Sequence, residues 1–234
     1  MTGSRLPDYL VLDTCVLLSG RLRHILLGLG ARGCFRPVWS RVIADEWQRN
    51  AARVAHVSAD EARAWWDEWA HRFPAATELE IEPFKTGLKY SDAKDWHVIA
   101  AGLAARHRHA PASVAILTRN TRDFNRPELR RLGLALFDPD RFLVQCLEVC
   151  RPVVVALLEA LPRGAADTPD APIGILSGML RRERLFRLDR LLRGTDPDPS
   201  APISSGAAGS SGARPRDAVA GFFVMNGGGT GRRG

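Results

Sequence analysis

The chain has 234 residues, of which 45% are hydrophobic, and it carries a formal net charge of +7 at pH 7. This length and hydrophobic content suffice for one substantial domain with an appendage. The basic balance favours a polyanionic partner, nucleic acid before an anionic membrane surface, although it would also serve solubility alone. The four cysteines have no disulfide-framework spacing, and the chain shows neither a signal-peptide pattern nor an apolar run long enough to span a bilayer. We therefore expect a soluble, cytoplasmic protein with no membrane partner.

The N-terminal half alternates apolar and amphipathic segments. We predict a strand at 9–18, a helix at 22–31, a helix capped by Ser40 that contains Glu46, and a helix opened by the capping-box pair Ser58 and Glu61. The strand is continuously apolar, as is typical of a strand covered on both faces, yet Asp13 lies in its middle. A carboxylate in apolar surroundings is costly unless a partner or a metal ion compensates its charge.

The same alternation continues into the second half. The stretch TELEIEPF fits either a short strand or an extended connection, and we then predict a helix at 91–107, strands at 113–118 and 134–137, and a helix with Asp138 at its N-cap and Pro139 at its first position. Strands that alternate with helices favour a parallel sheet with helices on both faces. The predicted fold class is therefore α/β with a central, mostly parallel sheet.

Beyond Pro152 the pattern changes from alternation to helices alone. The segments PVVVALLEALP and IGILSGMLRRERLFRLDRLLRG are predicted helices, and the second is amphipathic over 176–192. It could cover the domain's own surface or bind another chain. From residue 195 the composition is too polar and too rich in glycine, serine and proline to form a core. We predict a domain at 1–150, a helical extension at 151–194 and a disordered tail at 195–234.

Several acids and one amide flank the predicted strands, where solubility alone would not require them. They are Asp13, Glu46, Asp95, Asn120 and Asp123. In doubly wound sheets ligands gather outside the carboxyl ends of the strands, so these side chains could converge there. Converging carboxylates cannot all stay ionised without a cation, and oxygen ligands suit Mg²⁺ or Mn²⁺. Such an ion activates water and stabilises charge on a phosphoryl oxygen.

Basic residues accompany these acids along the chain and would attract a phosphodiester. They are Lys85, Lys89, Lys94, Arg119 and Arg122. Taken singly, each acid has an ordinary structural role, because an acid in the first turn complements the helix dipole and Asn or Asp commonly occupies turns. Only the joint pattern favours a metal site.

Four motifs in this order and spacing resemble the PIN-domain ribonucleases, and most closely the VapC-type toxins of bacterial toxin–antitoxin pairs. They are YLVLDTCVLLSG, PVWSRVIADEW, SDAKDWHVIAAGLAA and AILTRNTRDF, and the resemblance covers residues 9–149. It implies a PIN-like three-layer α/β/α fold, and the helical segment that follows is similar to an extension carried by one branch of VapC-like proteins.

The resemblance also implies an activity, a site and partners. The activity is metal-dependent endoribonucleolytic cleavage with 3′-hydroxyl and 5′-phosphate products, and the family's three most constant acids map onto Asp13, Glu46 and Asp95, with the last polar position at Asn120 or Asp123. The predicted catalytic and metal-binding set is Asp13, Glu46, Asp95 and Asp123, and the predicted substrate-binding set is Thr118, Arg119, Asn120 and Arg122. The expected partners are RNA and a cognate antitoxin protein, with a homodimer as a further option.

Three positions depart from this pattern or admit another role. Many family members have Asn two residues after the first Asp, where this chain has Cys15; a thiol is not an oxygen ligand for magnesium, so we assign it to packing or to support of the ligands. Asp92 is interpreted as a helix cap in preference to a ligand. His97 is expected to point away from the face that bears Asp95, which favours packing over a general-base role.

Two other functions compete with the nuclease hypothesis. A phosphatase with an aspartyl nucleophile at Asp13 would need a second Asp where Cys15 stands, which disfavours it. A catalytically weak PIN-fold module that binds RNA or protein remains the alternative, and the presence of all the principal acids speaks against it.

Overall fold

The computed structural model describes residues 5–54, 57–161 and 172–194, with side chains from residue 176 in the last range. The predicted disordered tail at 195–234 lies outside the described residues. Within those residues no helix combines the length and the apolar composition that crossing a bilayer requires.

The described chain folds into five strands and nine α-helices. The strands are β1 (Tyr9–Leu12), β2 (Arg36–Ser40), β3 (Thr77–Glu78), β4 (Val114–Leu117) and β5 (Leu134–Phe137). The helices are α1 (Thr14–Leu17), α2 (Gly20–Ala31), α3 (Arg41–Val54), α4 (Ala59–Arg72), α5 (Trp96–Arg108), α6 (Arg126–Arg131), α7 (Pro139–Glu159), α8 (Pro172–Arg182) and α9 (Phe186–Arg193). Two short 3₁₀ helices cover Glu82–Lys85 and Ala93–Asp95.

The sheet is entirely parallel and has the order β3-β2-β1-β4-β5. Helices flank it, so the central strands β1 and β4 are buried along their whole length, which explains their unbroken apolar sequence. The chain runs from β1 outwards to β3 and then returns to β4 on the other side of β1. This reversal makes the gap between the carboxyl ends of β1 and β4 the place where an open parallel sheet binds ligands.

The first strand is shorter than predicted, and this changes the position of its acid. The predicted strand at 9–18 ends at Leu12, and Asp13 occupies the N-cap position of α1 with extended backbone angles. Its carbonyl oxygen accepts hydrogen bonds from the backbone N–H groups of Val16 and Leu17. Asp13 therefore lies at the carboxyl end of a buried strand, where the chain turns, and not in the strand's middle.

The sequence pattern does not predict β2, and it leaves the segment after α4 open between a short strand and an extended connection. β2 contains Pro37, which pairs in register with Leu10 of β1; proline in a short apolar run is a signal against a strand, which explains the omission. The stretch TELEIEPF contains both a two-residue strand, β3, and the 3₁₀ helix Glu82–Lys85. Ser40 acts as predicted, since its hydroxyl accepts the N–H of Ile43 at 3.3 Å.

The C-terminal helices pack on the chain's own domain. The predicted boundary at 150 falls inside α7, which bends at Cys150 two residues before Pro152. The predicted single helix over 176–192 is two helices, α8 and α9, and α9 packs against α7. Their apolar side chains Met179, Leu180, Leu185 and Leu188 are buried. Of the two alternatives that the sequence left open, the structure shows coverage of the chain's own surface.

The break between α8 and α9 has a clear local cause. Arg184 has a positive φ of 60°, the left-handed conformation that usually ends a helix. The N–H of Arg184 bonds the carbonyl of Arg181 at 2.9 Å, and the N–H of Leu185 bonds that of Leu180 at 2.8 Å. This is the Schellman pattern, and it holds Glu183 at the end of α8.

Candidate active site

Asp13 is fixed at the carboxyl end of β1 by side-chain donors from the two segments that follow β1 and β4. Its side chain is largely buried, at 7% exposure. The hydroxyl of Thr118, directly after β4, donates to Asp13 Oδ2 at 2.6 Å, and the thiol of Cys15 donates to the same oxygen at 3.0 Å. The backbone N–H of Asp13 bonds the carbonyl of Leu117 at 3.2 Å. One oxygen of this buried carboxylate is therefore held in place across the β1–β4 gap.

Cys15 also connects the segments that follow β1 and β4. Its sulfur accepts the backbone N–H of Arg119 at 3.2 Å and lies 3.3 Å from the Thr118 hydroxyl. Burial, followed by the charge of Asp13, raises the pKa of the Cys15 thiol to about 12. The thiol therefore stays protonated at neutral pH and acts as a hydrogen-bond donor that orients Asp13.

Three other carboxylates form a group that does not include Asp13, although the charge of Asp13 acts on one of them, Asp95. One oxygen from each of Asp92, Asp95 and Asp123 lies within 4.8 Å of the others. The backbone N–H of Asp92 bonds the carbonyl of Asp123 at 2.8 Å, which ties the loop after β4 to the start of the 3₁₀ helix Ala93–Asp95. Asp92 also caps that helix by accepting the N–H of Lys94 at 3.1 Å. It thus has the predicted capping role and contributes a carboxylate to the cluster.

Asp95 contributes a buried carboxylate oxygen, Oδ2, that no described residue hydrogen-bonds. Burial raises the pKa of Asp95 to about 6, and the negative charges of Asp13, Asp123 and Asp92 act in the same direction while Lys94 opposes them. An ionised Asp95 therefore needs a nearby positive charge.

Lys94 supplies a positive charge at the exposed side of the cluster. Its ammonium pairs with Asp123 and lies 3.3 Å from Asp92. Hydrogen bonding to these two carboxylates raises the pKa of Lys94, and the ammonium in turn lowers the pKa of Asp123. The Lys94 side chain is 60% exposed, so it can leave the cluster without disturbing the core. The amide of Asn120 also donates to Asp123.

Glu46 reaches the site through other partners and is not part of the three-aspartate cluster. Its Oε2 accepts the hydroxyl of Thr14 at 2.9 Å and lies 3.5 Å from Nε2 of His97. The nearby His97 imidazole, and then the hydrogen bond from Thr14, lower the pKa of Glu46 although its partial burial acts against this. Because Thr14 follows Asp13 directly, Glu46 flanks the site as an ionised carboxylate.

The contact between His97 and Glu46 is not predicted from the sequence. His97 was assigned to packing, but its imidazole, 11% exposed, faces Glu46 from the first turn of α5. Glu46 lies on α3, so the pair depends on how α3 and α5 pack. No local pattern in either helix could have predicted it.

Glu128 was also missed, although it shapes the segment that leads into the cluster. Its carboxylate is 1% exposed and accepts the backbone N–H groups of Lys89, Tyr90 and Ser91 at 2.8, 3.2 and 2.9 Å. The hydroxyl of Ser91 donates to it at 2.7 Å. Although burial alone would raise it, the pKa of Glu128 is lowered by these donors. The loop immediately before Asp92 is therefore anchored to α6.

The predicted substrate-binding residues occupy different positions around the site. Thr118 is fully buried, and its hydroxyl donates to Asp13 Oδ2 and accepts the N–H of Asn120 at 3.0 Å. Arg122 is exposed. The guanidinium of Arg119 pairs with Glu183 at the end of α8. Arg119 and Arg122 therefore offer positive charge outside the acids, whereas Thr118 supports the acids from within.

No family model matches the chain, and no curated protein or solved structure is significantly similar to it. The likeness to PIN-domain ribonucleases therefore rests on the four sequence motifs alone.

Proposed function

We propose that the protein is a metal-dependent endoribonuclease that hydrolyses RNA phosphodiester bonds. The observation that carries this proposal is the meeting of Asp92, Asp95 and Asp123 within 4.8 Å, with a buried and unpartnered oxygen on Asp95. Asp13 adds a fourth negative charge that acts on Asp95. Such a concentration of charge at the switch point of a parallel sheet is stable at neutral pH when a cation binds there.

The donor set fits a small divalent cation. All candidate ligands are carboxylate oxygens, which suit Mg²⁺ or Mn²⁺, whereas the one nearby sulfur belongs to a thiol that stays protonated. We assign the ion to Asp13, Asp95 and Asp123, with Asp92 at its exposed side. When bound, such an ion activates water and stabilises negative charge on a phosphoryl oxygen.

The chain's own residues orient and balance this site. Thr118 and Cys15 hold one Asp13 oxygen, so the other carboxylate oxygen has a defined direction. Glu46 stays ionised beside His97 and can accept a proton at the flank of the site. Lys94 pairs with Asp92 and Asp123 at the exposed side of the site, and its ammonium would contribute positive charge towards an incoming phosphate if a bound cation replaced it there.

The substrate assignment rests on charge and on the resemblance. The formal net charge of +7 and the exposed Arg122 favour a nucleic-acid backbone. Selection among RNA sequences would come from the surface around the acids, since carboxylates and phosphate contacts do not read bases. The resemblance adds RNA as the substrate and 3′-hydroxyl and 5′-phosphate ends as the products.

From the resemblance we further propose that the protein is the toxin of a VapBC-type pair, with a cognate antitoxin protein as its partner. A small open reading frame immediately upstream of the coding sequence would support this role. Co-purification tests this role directly. We expect the product of that reading frame to co-purify with this chain when the two are co-expressed, and not when each is expressed separately.

Cleavage of labelled single-stranded RNA by the purified protein tests the enzymatic proposal. We expect cleavage with Mg²⁺ or Mn²⁺, loss of cleavage on chelation, and a loss of at least a hundredfold in Asp95→Asn and Asp123→Asn, on the order of the effect of removing a group that stabilises transition-state charge. The matched control is Asp67→Asn, the same change at an exposed position of α4. Activity that survives chelation, or full activity in Asp95→Asn, would contradict the proposal.

One observation favours the second candidate, a catalytically weak PIN-fold module that binds RNA or protein. The Lys94 ammonium already pairs with two of the three clustered aspartates, so charge can be balanced without a metal ion. RNA binding without cleavage at any Mg²⁺ or Mn²⁺ concentration, in both the wild-type chain and Lys94→Gln, would select this module.

A further inference from the structure

A second charged group lies next to the acids and involves the helical extension. The carboxylate of Glu183, at the end of α8, receives the hydroxyl of Ser19 at 2.8 Å on Oε2 and pairs through the same oxygen with Arg119. Its other oxygen, Oε1, lies 3.9 Å from the guanidinium of Arg21. Two arginines and one hydroxyl therefore converge on one anion, Ser19 and Arg21 from the start of α2 and Arg119 from the segment after β4.

These groups lie close in sequence to residues of the candidate active site, on both of the chain segments that supply them. Ser19 and Arg21 follow the short helix α1 that begins after Asp13. Arg119 follows Thr118, and its backbone N–H bonds the Cys15 sulfur that supports Asp13. An anion held by these groups is thus bound next to the two chain segments that hold Asp13, those that follow β1 and β4.

The chemistry of this group matches that of a phosphate-binding site. Arginine guanidinium groups with a hydroxyl donor suit the oxygens of a phosphodiester as well as those of a carboxylate. The Arg21 and Arg119 side chains are 34% and 31% exposed, whereas Glu183 is 14% exposed. The arginines are therefore open to solvent on one side, and the carboxylate fills the more enclosed side.

We propose that Arg21, Arg119 and Ser19 form a binding site for a backbone phosphate of the RNA substrate, and that the Glu183 carboxylate occupies this site in the absence of RNA. The assignment rests on the proposed ribonuclease function, which supplies the phosphodiester ligand. Glu183 lies next to Arg184, in the turn between α8 and α9, so RNA that displaces it acts on the turn that joins these two helices of the extension.

The test measures RNA binding apart from cleavage, by fluorescence anisotropy of a labelled single-stranded oligoribonucleotide in the presence of a chelator. Glu183→Gln keeps the size of the side chain and removes its charge. We expect it to bind about 2- to 5-fold more tightly than the wild-type chain, the range of an exposed ion pair, because RNA no longer displaces a carboxylate. The control is Glu68→Gln, the same change on the exposed face of α4, with wild-type affinity expected.

A second pair of variants isolates the arginines. Arg119→Gln should weaken RNA binding. The gain in affinity from Glu183→Gln should be much smaller in the Arg119→Gln background than in the wild-type chain, because one of the two arginines of the site is absent. Arg21→Gln should reduce the slope of log affinity against log salt by about 0.7, the value for one lost phosphate contact on a single strand. This slope does not depend on any change at Glu183.

Each outcome distinguishes the phosphate site from a structural clamp and from a failed nuclease proposal. A lower melting temperature in Glu183→Gln with unchanged RNA affinity would show a clamp and overturn the assignment, as would an unchanged salt slope in Arg21→Gln or no RNA binding by any variant. The expected binding pattern without metal-dependent cleavage would support the phosphate site and remove the ribonuclease proposal alone.

Discussion

At the scale of single residues, the candidate site contains carboxylates whose ionisation is unfavourable unless a cation is near. Asp95 shows this best, because its Oδ2 is buried without a partner and its pKa is raised to about 6 by burial and by neighbouring acids. The ordinary value is 3.8, so the folded state holds the Asp95 proton up to a higher pH than the unfolded chain does. In the metal-free protein, Asp95 therefore opposes folding at neutral pH.

Replacement of Asp95 by Asn should stabilise the metal-free protein at pH 7. A rise in pKa of this size corresponds to about 3 kcal/mol for a fully buried group, and partial exposure reduces the expected gain in the free energy of unfolding to roughly 1 kcal/mol. The gain should be full above pH 6 and should vanish as the pH falls towards 3.8, where Asp95 is protonated in both states. Urea unfolding with a chelator at pH 7 and pH 4 measures it. An equal gain at both pH values would contradict this origin.

Thr118 provides a second prediction at this scale. Thr118→Val keeps the shape of a buried side chain but removes the donor to Asp13 Oδ2 and the acceptor for the N–H of Asn120. We expect a loss of about 1–3 kcal/mol in the free energy of unfolding, since buried polar groups lose their partner. Thr118→Ser is the matched control, because it keeps the hydroxyl and removes only a methyl group. Equal losses in the two variants, measured by urea unfolding, would show that packing alone matters at this position.

At the scale of elements, the site is built by loops that follow β1 and β4 and by the segment that enters α5. The first two are fixed by the sheet, since Asp13 and Thr118 come directly after paired strands. The third has no strand to hold it and depends on Glu128 of α6 for its backbone hydrogen bonds. One buried carboxylate therefore positions the chain that presents Asp92 and Asp95.

Glu128→Gln should release this segment. The amide nitrogen cannot accept the N–H groups of residues 89–91, so we expect a loss of about 2 kcal/mol in the free energy of unfolding, typical of hydrogen bonds to a charged group. Hydrogen exchange of the amides of residues 89–91 should become faster. The control is Glu82→Gln, which breaks an exposed ion pair with Lys85 and should change little. Unchanged exchange at residues 89–91 in Glu128→Gln would refute the anchoring role.

At the scale of the whole molecule, the proposed cation site would couple stability to metal binding. An ion that binds only the folded state stabilises it by mass action, by about 2.7 kcal/mol when its concentration is a hundred times the dissociation constant. For a chain of this size that stabilisation raises the melting temperature by roughly 5–10 °C. The charge cluster of Asp92, Asp95 and Asp123 places this coupling at the carboxyl edge of the sheet.

We therefore expect Mn²⁺ or Mg²⁺ to raise the melting temperature of the wild-type chain and to leave that of Asp95→Asn nearly unchanged. Differential scanning calorimetry over a series of metal concentrations measures this. Asp67→Asn, at an exposed position of α4, should respond like the wild-type chain. A metal response that survives in Asp95→Asn would remove Asp95 from the proposed ligand set.

The sequence by itself determined the fold class and much of the local structure. Unbroken apolar runs between amphipathic segments predicted buried parallel strands, and β1 and β4 confirm this apart from the length of β1. β5 lies where a strand was predicted, but it is an edge strand in which only Leu134 is buried. The caps were equally readable, since Ser58 with Glu61 and Asp138 before Pro139 make the predicted hydrogen bonds. Such signals are local along the chain, because they depend on side-chain period, backbone angles and the unpaired N–H groups of a helix end.

Only the tertiary structure decided which charged side chains meet. It joined Asp92 to Asp95 and Asp123, paired Glu46 with His97, and brought Glu183 to Arg119. Each contact crosses between elements that are distant in sequence or separated by a turn, so it depends on how helices pack and where the chain crosses the sheet. Periodicity and propensity record one element's own buried face, and they carry no information about the side chain that another element places opposite it.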